Sequence, residues 1–362
     1  MAAPGVIDVD ELVAAGLEAG LDAVGVAPAE PFTTTRTILE DRKAAGLHGG
    51  MQFTYRNPAR STDPSAALPG AASLVVGART YRRAPAERPS VTGGRVARYS
   101  WDDRYEPLRR ALAVVAGRLE EAGWRARVLA DDNALVDREA ARRAGLGWYG
   151  KNTLLLLPGR GSWFVLGSVI TDAPLPPSSG PVPDGCGPCT RCITACPTGA
   201  LVAPGVLDAR RCLAWLLEAP GTFPIELRSA VGDRIYGCDD CQEACPVNVR
   251  ADRRSPAGPA GEGEEPWIDL VELYDMDDGS LMERIGRWYV PRRQPRYVRR
   301  NILVALGNSG AGDEPGVASV LARGLADPDP LLRSHAVWAA ASLGRGDLLD
   351  ALAGEDDPEV TA

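Results

Sequence analysis

The stretch Cys186-Gly-Pro-Cys189-Thr-Arg-Cys192-Ile-Thr-Ala-Cys196-Pro197 constrains this chain more than any other. Cys238-Asp-Asp-Cys241-Gln-Glu-Ala-Cys245-Pro246 repeats its ending, Cys212 stands alone between the two, and these 8 cysteines are all the chain has. The first run has the C-x2-C-x2-C-x3-C-P spacing with which thiolates grip iron–sulfur cubanes. The second keeps C-x2-C-x3-C-P, its opening cysteine displaced upstream to position 212. Paired C-x2-C motifs also hold tetrahedral zinc, and a cysteine-rich secreted chain can form disulfides. Zinc has little use for a third cysteine two residues on and a fourth followed by proline. Disulfides call for an export signal, and Met1-Ala-Ala-Pro-Gly-Val-Ile-Asp-Val-Asp10 has neither the positive charge nor the apolar segment of one. The spacing therefore predicts two [4Fe-4S] clusters in a reducing, cytoplasmic setting.

In two-cluster ferredoxins the fourth cysteine of a run ligates the other cluster. By that rule one cubane takes Cys186, Cys189, Cys192 and Cys245, and the other takes Cys196, Cys212, Cys238 and Cys241. Pro197 and Pro246 turn the chain away after each crossing ligand. Clusters held this way pass electrons in series, and such a wire needs something to reduce.

The 362 residues allow two or three domains, and no apolar run approaches a membrane span. Val9, Leu12, Val13, Leu17 and Leu21 stand at helical spacing, so 8–20 reads as an amphipathic helix. Residues 23–27, 72–78, 125–130, 153–157 and 163–170 read as strands, 108–122 and 135–144 as helices, and 33–69 as polar and irregular. The expected class is α+β, beginning with an α/β domain over 1–173. The Pro/Gly/Ser linker 174–185 opens a ferredoxin-like domain over 174–250. Residues 251–266 form a Gly/Pro/acidic loop expected to be mobile. From 267 to 354 the chain is helical and repetitive. Val298-Arg-Arg-Asn-Ile-Leu-Val-Ala-Leu306 matches Leu332-Arg-Ser-His-Ala-Val-Trp-Ala-Ala340 at an offset of 34 residues. This is the pattern of HEAT-like units, too few to stand without packing on the preceding domain.

The net charge of −8 argues against a uniformly basic nucleic-acid binder but leaves room for a local patch. Arg284, Arg287, Arg292, Arg293, Arg296, Arg299 and Arg300 crowd one stretch, with Trp288, Tyr289 and Tyr297 among them and Glu283 the only acid. That stripe is the best phosphate-binding surface in the chain, against the alternative of a solvated helix face. Lys43 and Lys151 are the only lysines among 40 basic residues, a coding bias that makes Lys151 conspicuous. His48 and His335 are the only histidines, which disfavours a histidine-based metal site; His335, at a repeat position, reads as a structural helix residue.

Between Asp131 and Thr153, glycines 145, 147 and 150 follow a helix instead of opening one, so they are no dinucleotide fingerprint. A C-capping turn and a tight loop account for them equally well. Asp132 lies after a strand and before a helix, where an N-cap role is natural.

Taken together, several segments are similar to the epoxyqueuosine reductases, cobalamin- and iron–sulfur-dependent enzymes of queuosine synthesis in tRNA. They are Asp132-Asn-Ala-Leu-Val-Asp-Arg138, Ala144-Gly-Leu-Gly-Trp-Tyr-Gly-Lys-Asn-Thr153, Gly161-Ser-Trp-Phe-Val-Leu-Gly167, Gly232-Asp-Arg-Ile-Tyr-Gly-Cys-Asp-Asp-Cys-Gln242 and Arg299-Arg-Asn-Ile-Leu-Val-Ala-Leu-Gly-Asn308. The resemblance implies base-off cobalamin in the N-terminal domain, contacted by Arg60, Asp132, Lys151, Asn152 and Gly167. It also implies an aspartate that donates a proton while the epoxide is reduced, its carboxyl pKa raised by desolvation; by motif this is Asp132, with Asp131 adjacent and Asp137 one helical turn on. The implied partners are tRNA carrying epoxyqueuosine in its anticodon loop, gripped by Arg292, Arg293, Arg296, Arg299 and Arg300, and an external electron donor. The implied protein is monomeric and not bound to a membrane. The family usually has Thr-(Ala/Gly)-Pro after the aspartate, where this chain has Asn133-Ala-Leu135. It often has Asp-Tyr-His where this chain has Arg104-Tyr-Glu106, and no cysteine precedes 186. A reductive dehalogenase shares the implied chemistry but usually carries an export signal. A ferredoxin-like carrier would need no segment from 131 to 153.

Overall fold

The structure, a computed structural model, describes residues 5–178, 180–352 and 354–361; Ser179 of the expected linker and residues 1–4 lie outside them. The chain forms two compact units, each assembled from three separate segments.

The first unit contains residues 1–82, 103–210 and 240–257. Its centre is an antiparallel sheet in the order Ala23–Pro28, Ser73–Thr80, Phe164–Thr171, Ala126–Ala130. The two middle strands are buried almost throughout, because helices cover both faces. Leu74, Val76 and Ala78 point to one face, where they pack with Ala140 and Ala141 of the helix Asp137–Arg143. On the other face a Cβ at Gly77 would lie 3.1 Å from Leu112 and one at Gly167 2.7 Å from it, so the helix Tyr105–Glu121 rests directly on the strand backbone. The alternation follows from the period of two along a strand. The antiparallel pairing makes the class α+β and excludes a parallel α/β winding.

Several local expectations needed tertiary contacts to resolve. Thr33–Ala44, expected to be irregular, is a helix that buries only Leu39, so it carries almost no apolar period. Leu17 is exposed in the helix Val9–Glu18. The helix expected from 108 begins at Tyr105, where the Asp103 carboxylate accepts from the N–H groups of Tyr105 and Glu106. Of 153–157 only Leu155–Leu156 is strand, paired with Trp148–Tyr149. Ser178 of the linker exchanges hydrogen bonds with Val26, its N–H donating to the carbonyl and its Oγ accepting from the amide, and so covers the open edge strand.

The second unit contains residues 83–102, 211–239 and 258–362. Gly93–Val96 lies between Arg234–Tyr236, parallel to it, and Trp267–Asp269, antiparallel. The core belongs to the helices Arg296–Gly307, Pro315–Leu325 and Pro330–Ser342. The internal repeat is visible in burial: Val298 and Leu332, Ile302 and Ala336, Ala305 and Ala339, Leu306 and Ala340 are all buried. Its polar pair is equally consistent. Asn301 Nδ2 donates to the Leu217 carbonyl at 2.7 Å, and His335 Nε2 accepts from the Phe223 N–H at 3.1 Å. Both therefore hold the segment 211–239, whose Leu213, Leu216 and Phe223 pack with Val304. The expected boundaries after 173 and 250 are not unit boundaries, and the cysteine-bearing stretch is shared between the units. The loop expected to be mobile is tied down in part: Glu264 takes a bidentate ion pair from Arg83, and Glu265 N–H bonds the Trp101 carbonyl.

Candidate iron–sulfur and catalytic site

In the first unit Cys186, Cys189, Cys192 and Cys245 line one cleft, together with Lys151, Asn152 and Arg250. Local features put each thiol there. Asp184 accepts from the Cys186 N–H, and the Cys189 N–H closes a turn onto the Cys186 carbonyl. Gly187 within that turn has φ +49°, a conformation costly for a residue with a Cβ. Cys192 is buried in the short helix Arg191–Ala195, and Cys245 precedes the helix Pro246–Arg254, with proline at its first position.

Cys186, Cys189, Cys192, Cys196 and Cys245 are free thiols. Burial pushes the Cys192 thiol up, and Cys245, Cys186 and Cys189 add to the effect, so the four crowd one another electrostatically. Among the described residues no three His, Cys, Asp or Glu side chains converge tightly enough to share one ion. A zinc site brings its sulfurs to ~2.3 Å from a single metal, whereas each thiolate of a cubane binds a different iron. Four thiols lining one cleft are the donor set that a cubane takes.

The second expected set is divided between the units: Cys196 and Cys241 belong to the first, Cys212 and Cys238 to the second. Cys196 Sγ accepts from the Ala200 N–H at 3.2 Å. Cys212 precedes the helix Leu213–Glu218, and Cys238 packs on the apolar cluster beneath it.

The Gly-Lys-Asn loop is laid against the cysteine segments. Lys151 Nζ donates to the Gly187 carbonyl at 2.6 Å, and buried Asn152 donates through Nδ2 to the Cys241 carbonyl at 3.4 Å. Gly145 closes the preceding helix with φ +72°, and a Cβ at Gly147 would lie 2.1 Å from the Leu156 carbonyl oxygen. These glycines serve a cap and a tight turn.

The acidic segment follows the strand Ala126–Ala130. Asp131 takes a left-handed φ of +55°, a strained conformation for a residue with a side chain. Burial raises its carboxyl pKa against the opposing pull of Arg109, with Asp103 and Asp132 adding to the rise. Asp132 instead accepts through Oδ1 from the Ala134 N–H at 2.8 Å, the turn-forming bond of an aspartate before a helix. Asp137 opens that helix; burial, then the Asp131 charge, lifts its carboxyl well above the usual range, and its Oδ1 is buried without a partner. The Tyr105 hydroxyl is raised in the same way, by burial and then by Asp131 and Asp137. Arg138 reaches from this segment to the Thr153 carbonyl at 3.3 Å, linking the acids to the Gly-Lys-Asn loop.

Arg60 lies exposed on the short helix Pro58–Ser61. Ser61 Oγ donates to the Asn133 carbonyl at 2.6 Å and the Ser61 carbonyl accepts from Val136, so this helix buttresses the acidic loop. Gly167, expected to contact cobalamin, is a core residue covered by Leu112 and Ala130. It has no face to offer a ligand. Among the residues expected at a corrin, Arg60 and the acidic loop keep groups to present, while Lys151 and Asn152 are engaged on the cysteine segments. Tyr105 carries no site signal in the sequence, because burial alone changes its acidity; Asp131 and Asp137 are legible as acids flanking Asp132, but their burial is not.

The arginine stripe is only partly a surface. Arg300, expected to bind tRNA, is buried, its guanidinium donating to the carbonyls of Leu216, Ala219 and Gly221 and to Asn301 Oδ1. It cannot reach a phosphate. Arg299 pairs with Asp278 and bonds the Met276 carbonyl, Arg296 pairs with Asp329 at 2.9 Å, and Arg293 donates to the carbonyls of Met282, Gly286 and Trp288. Trp288 is buried and stacked on Tyr236 at 4.5 Å, leaving Tyr289 as an exposed aromatic of the stripe. Arg292 and Arg293 remain exposed.

Residues 185–248 match the family described as a 4Fe-4S double cluster binding domain. Over nearly its whole length the chain is similar to an epoxyqueuosine reductase from Xanthomonas campestris, 36% identical over 90% of this chain and 94% of that protein. It is also similar to a crystal structure of epoxyqueuosine reductase with an epoxyqueuosine-modified tRNA-Tyr stem loop (TM-score 0.86, 31% identity, 97% of this chain and 95% of that one). A Bacillus subtilis epoxyqueuosine reductase, solved with its catalytic aspartate loop swung out of the active site, gives a TM-score of 0.85 at 30% identity over 97% and 95% of the two chains.

Proposed function

The chain belongs to the epoxyqueuosine reductase family, an oxidoreductase family, and from that membership we propose that it reduces epoxyqueuosine to queuosine in tRNA. The observation that carries the proposal is the cleft lined by Cys186, Cys189, Cys192 and Cys245, lying in a unit that also holds a loop of acids with raised pKa values. Two [4Fe-4S] clusters, on that set and on Cys196, Cys212, Cys238 and Cys241, and a base-off cobalamin would supply electrons from an external donor. Arg60, beside the acidic loop, is the residue offered to the corrin. The helical repeats of the second unit are read as HEAT-like, with exposed Arg292 and Arg293 for tRNA phosphates.

Reducing an epoxide to an alkene consumes two electrons and two protons and releases the oxygen as water, so a protonated acid must stand ready at neutral pH. The motif puts that role on Asp132. Its carboxylate is engaged in the turn to Ala134, whereas Asp131 has the raised pKa and the strained backbone. We assign the donor to Asp131, with Asp132 shaping the loop that presents it. Burial, and then the Asp131 charge, holds the Asp137 carboxyl of the same segment well above the usual range.

The test is incubation of epoxyqueuosine-bearing tRNA with the anaerobically loaded protein and a strong reductant, followed by nucleoside analysis. Conversion to queuosine is expected. No conversion, with iron and cobalamin both bound, refutes the assignment.

A further inference from the structure

Trp148 is 7% exposed, and its indole N–H is buried without a hydrogen-bond partner. Such groups are rare in folded proteins and each calls for an acceptor. The ring packs with Leu156 and Cys245 in one buried cluster, and Cys186 lies against the same cluster. Its orientation is also fixed. A Cβ at Gly185 would lie 2.6 Å from the ring's Cζ2, 2.9 Å from Cη2 and 3.0 Å from Cε2, so the six-membered ring of the indole lies directly on the residue before Cys186. Cys245 packs with this side chain, Cys186 packs against the same cluster, and the described residues supply no acceptor for the N–H.

We propose that Trp148 donates its indole N–H to a sulfur of the cluster held by Cys186, Cys189, Cys192 and Cys245, and so sets that cluster's reduction potential. Hydrogen bonds to cluster sulfurs stabilise the more negative, reduced state and raise the potential. Trp148 would thus be a positioning and tuning residue: it touches the cluster's sulfur and leaves the substrate alone. A side chain at Gly185, the residue ahead of the ligand turn, would collide with the ring, which explains the glycine there. The inference rests on the cubane reading and goes beyond it.

The experiment uses the full chain, loaded anaerobically with iron and sulfide, and compares it with Trp148→Phe by electron paramagnetic resonance during redox titration. The phenylalanine keeps a ring and removes the donor. One midpoint should move to a more negative potential while the other stays, with iron content unchanged. Both midpoints unchanged in a fully loaded variant overturn the proposal. If the variant fails to load, wild-type protein labelled with indole-15N tryptophan decides: the reduced cluster should show a 15N coupling, and its absence overturns the proposal. Wild-type protein that takes up zinc and no cubane would instead refute the cluster reading itself.

Discussion

Lys151 Nζ lies 2.6 Å from the carbonyl oxygen of Gly187, tying the Gly-Lys-Asn loop to the turn between Cys186 and Cys189. Lys151→Met keeps the stem and removes the charge and the donor. Outer partners of metal ligands are typically worth roughly 10–100-fold in metal affinity. The variant should still fold, with an unchanged thermal midpoint before loading, but lose iron to a chelator about 10-fold faster or more. Absorbance decay of the loaded protein in chelator reads this directly. An unchanged rate would mean the lysine does not support the cysteine turn.

Asp131 and Asp132 should separate kinetically. A carboxyl raised by burial works as a donor only while protonated, so turnover should fall as pH rises through its lifted pKa. Asp131→Asn should cost ~10²–10⁴-fold in rate, the usual worth of a general acid, and should erase the alkaline limb that remains. Asp132→Asn should lower the rate less and keep the limb, since its carboxylate holds Ala134 in the turn. The reverse ranking would return the donor role to Asp132.

His335 should govern part of the acid stability of the second unit. Its Nδ1 bonds the Leu331 carbonyl at 2.6 Å and Nε2 accepts from Phe223, while burial, with Arg228 next, lowers its pKa to about 3. The unfolded imidazole titrates near ~6.5. Its stabilising contribution is therefore complete above that value and is lost as pH falls toward the folded pKa, at ~1.4 kcal/mol per pH unit for one group. His335→Gln should lower the thermal midpoint at pH 7 and flatten its decline between ~pH 6.5 and 4. An equally steep decline in the variant would place the acid sensitivity elsewhere.

Arg300 and Arg292 should fail in different assays. Removing the Arg300 guanidinium takes this donor from the buried Leu216 carbonyl and from the part-buried carbonyls of Ala219 and Gly221, the buried one at a cost of roughly 1–3 kcal/mol before relaxation. Arg300→Met should thus lower the thermal midpoint by several degrees. Arg292→Ala should leave the midpoint alone and reduce the salt dependence of tRNA binding by about one phosphate contact. Full stability in Arg300→Met would contradict its role as a buried clamp.

Cubane chemistry and helical repeats were legible because both are carried by spacing along the chain. Cysteine intervals survive any fold that can hold them, and Asn301 and His335 stay in equivalent roles because the repeat of 34 residues is itself a structural period. The strands at 23–28, 73–80 and 164–171 were legible for the same reason: short apolar runs bounded by turn residues. The helix Thr33–Ala44 was not, since one buried residue leaves no period to see.

The sequence by itself thus determined which thiols come in sets, which segments bury their side chains, and which family the chain resembles. Only the tertiary structure decided what each polar group faces. Arg300 and Arg292 are identical in sequence terms, yet one is sealed under carbonyls and the other lies in solvent. Asp131 and Asp132 are adjacent, yet one caps a turn while the other carries the raised pKa. Trp148 stands in a motif, but the unsatisfied N–H of a ring packed with Cys245 exists only once the chain has folded. Acidity and hydrogen-bond satisfaction depend on desolvation, and desolvation is set by neighbours distant in sequence.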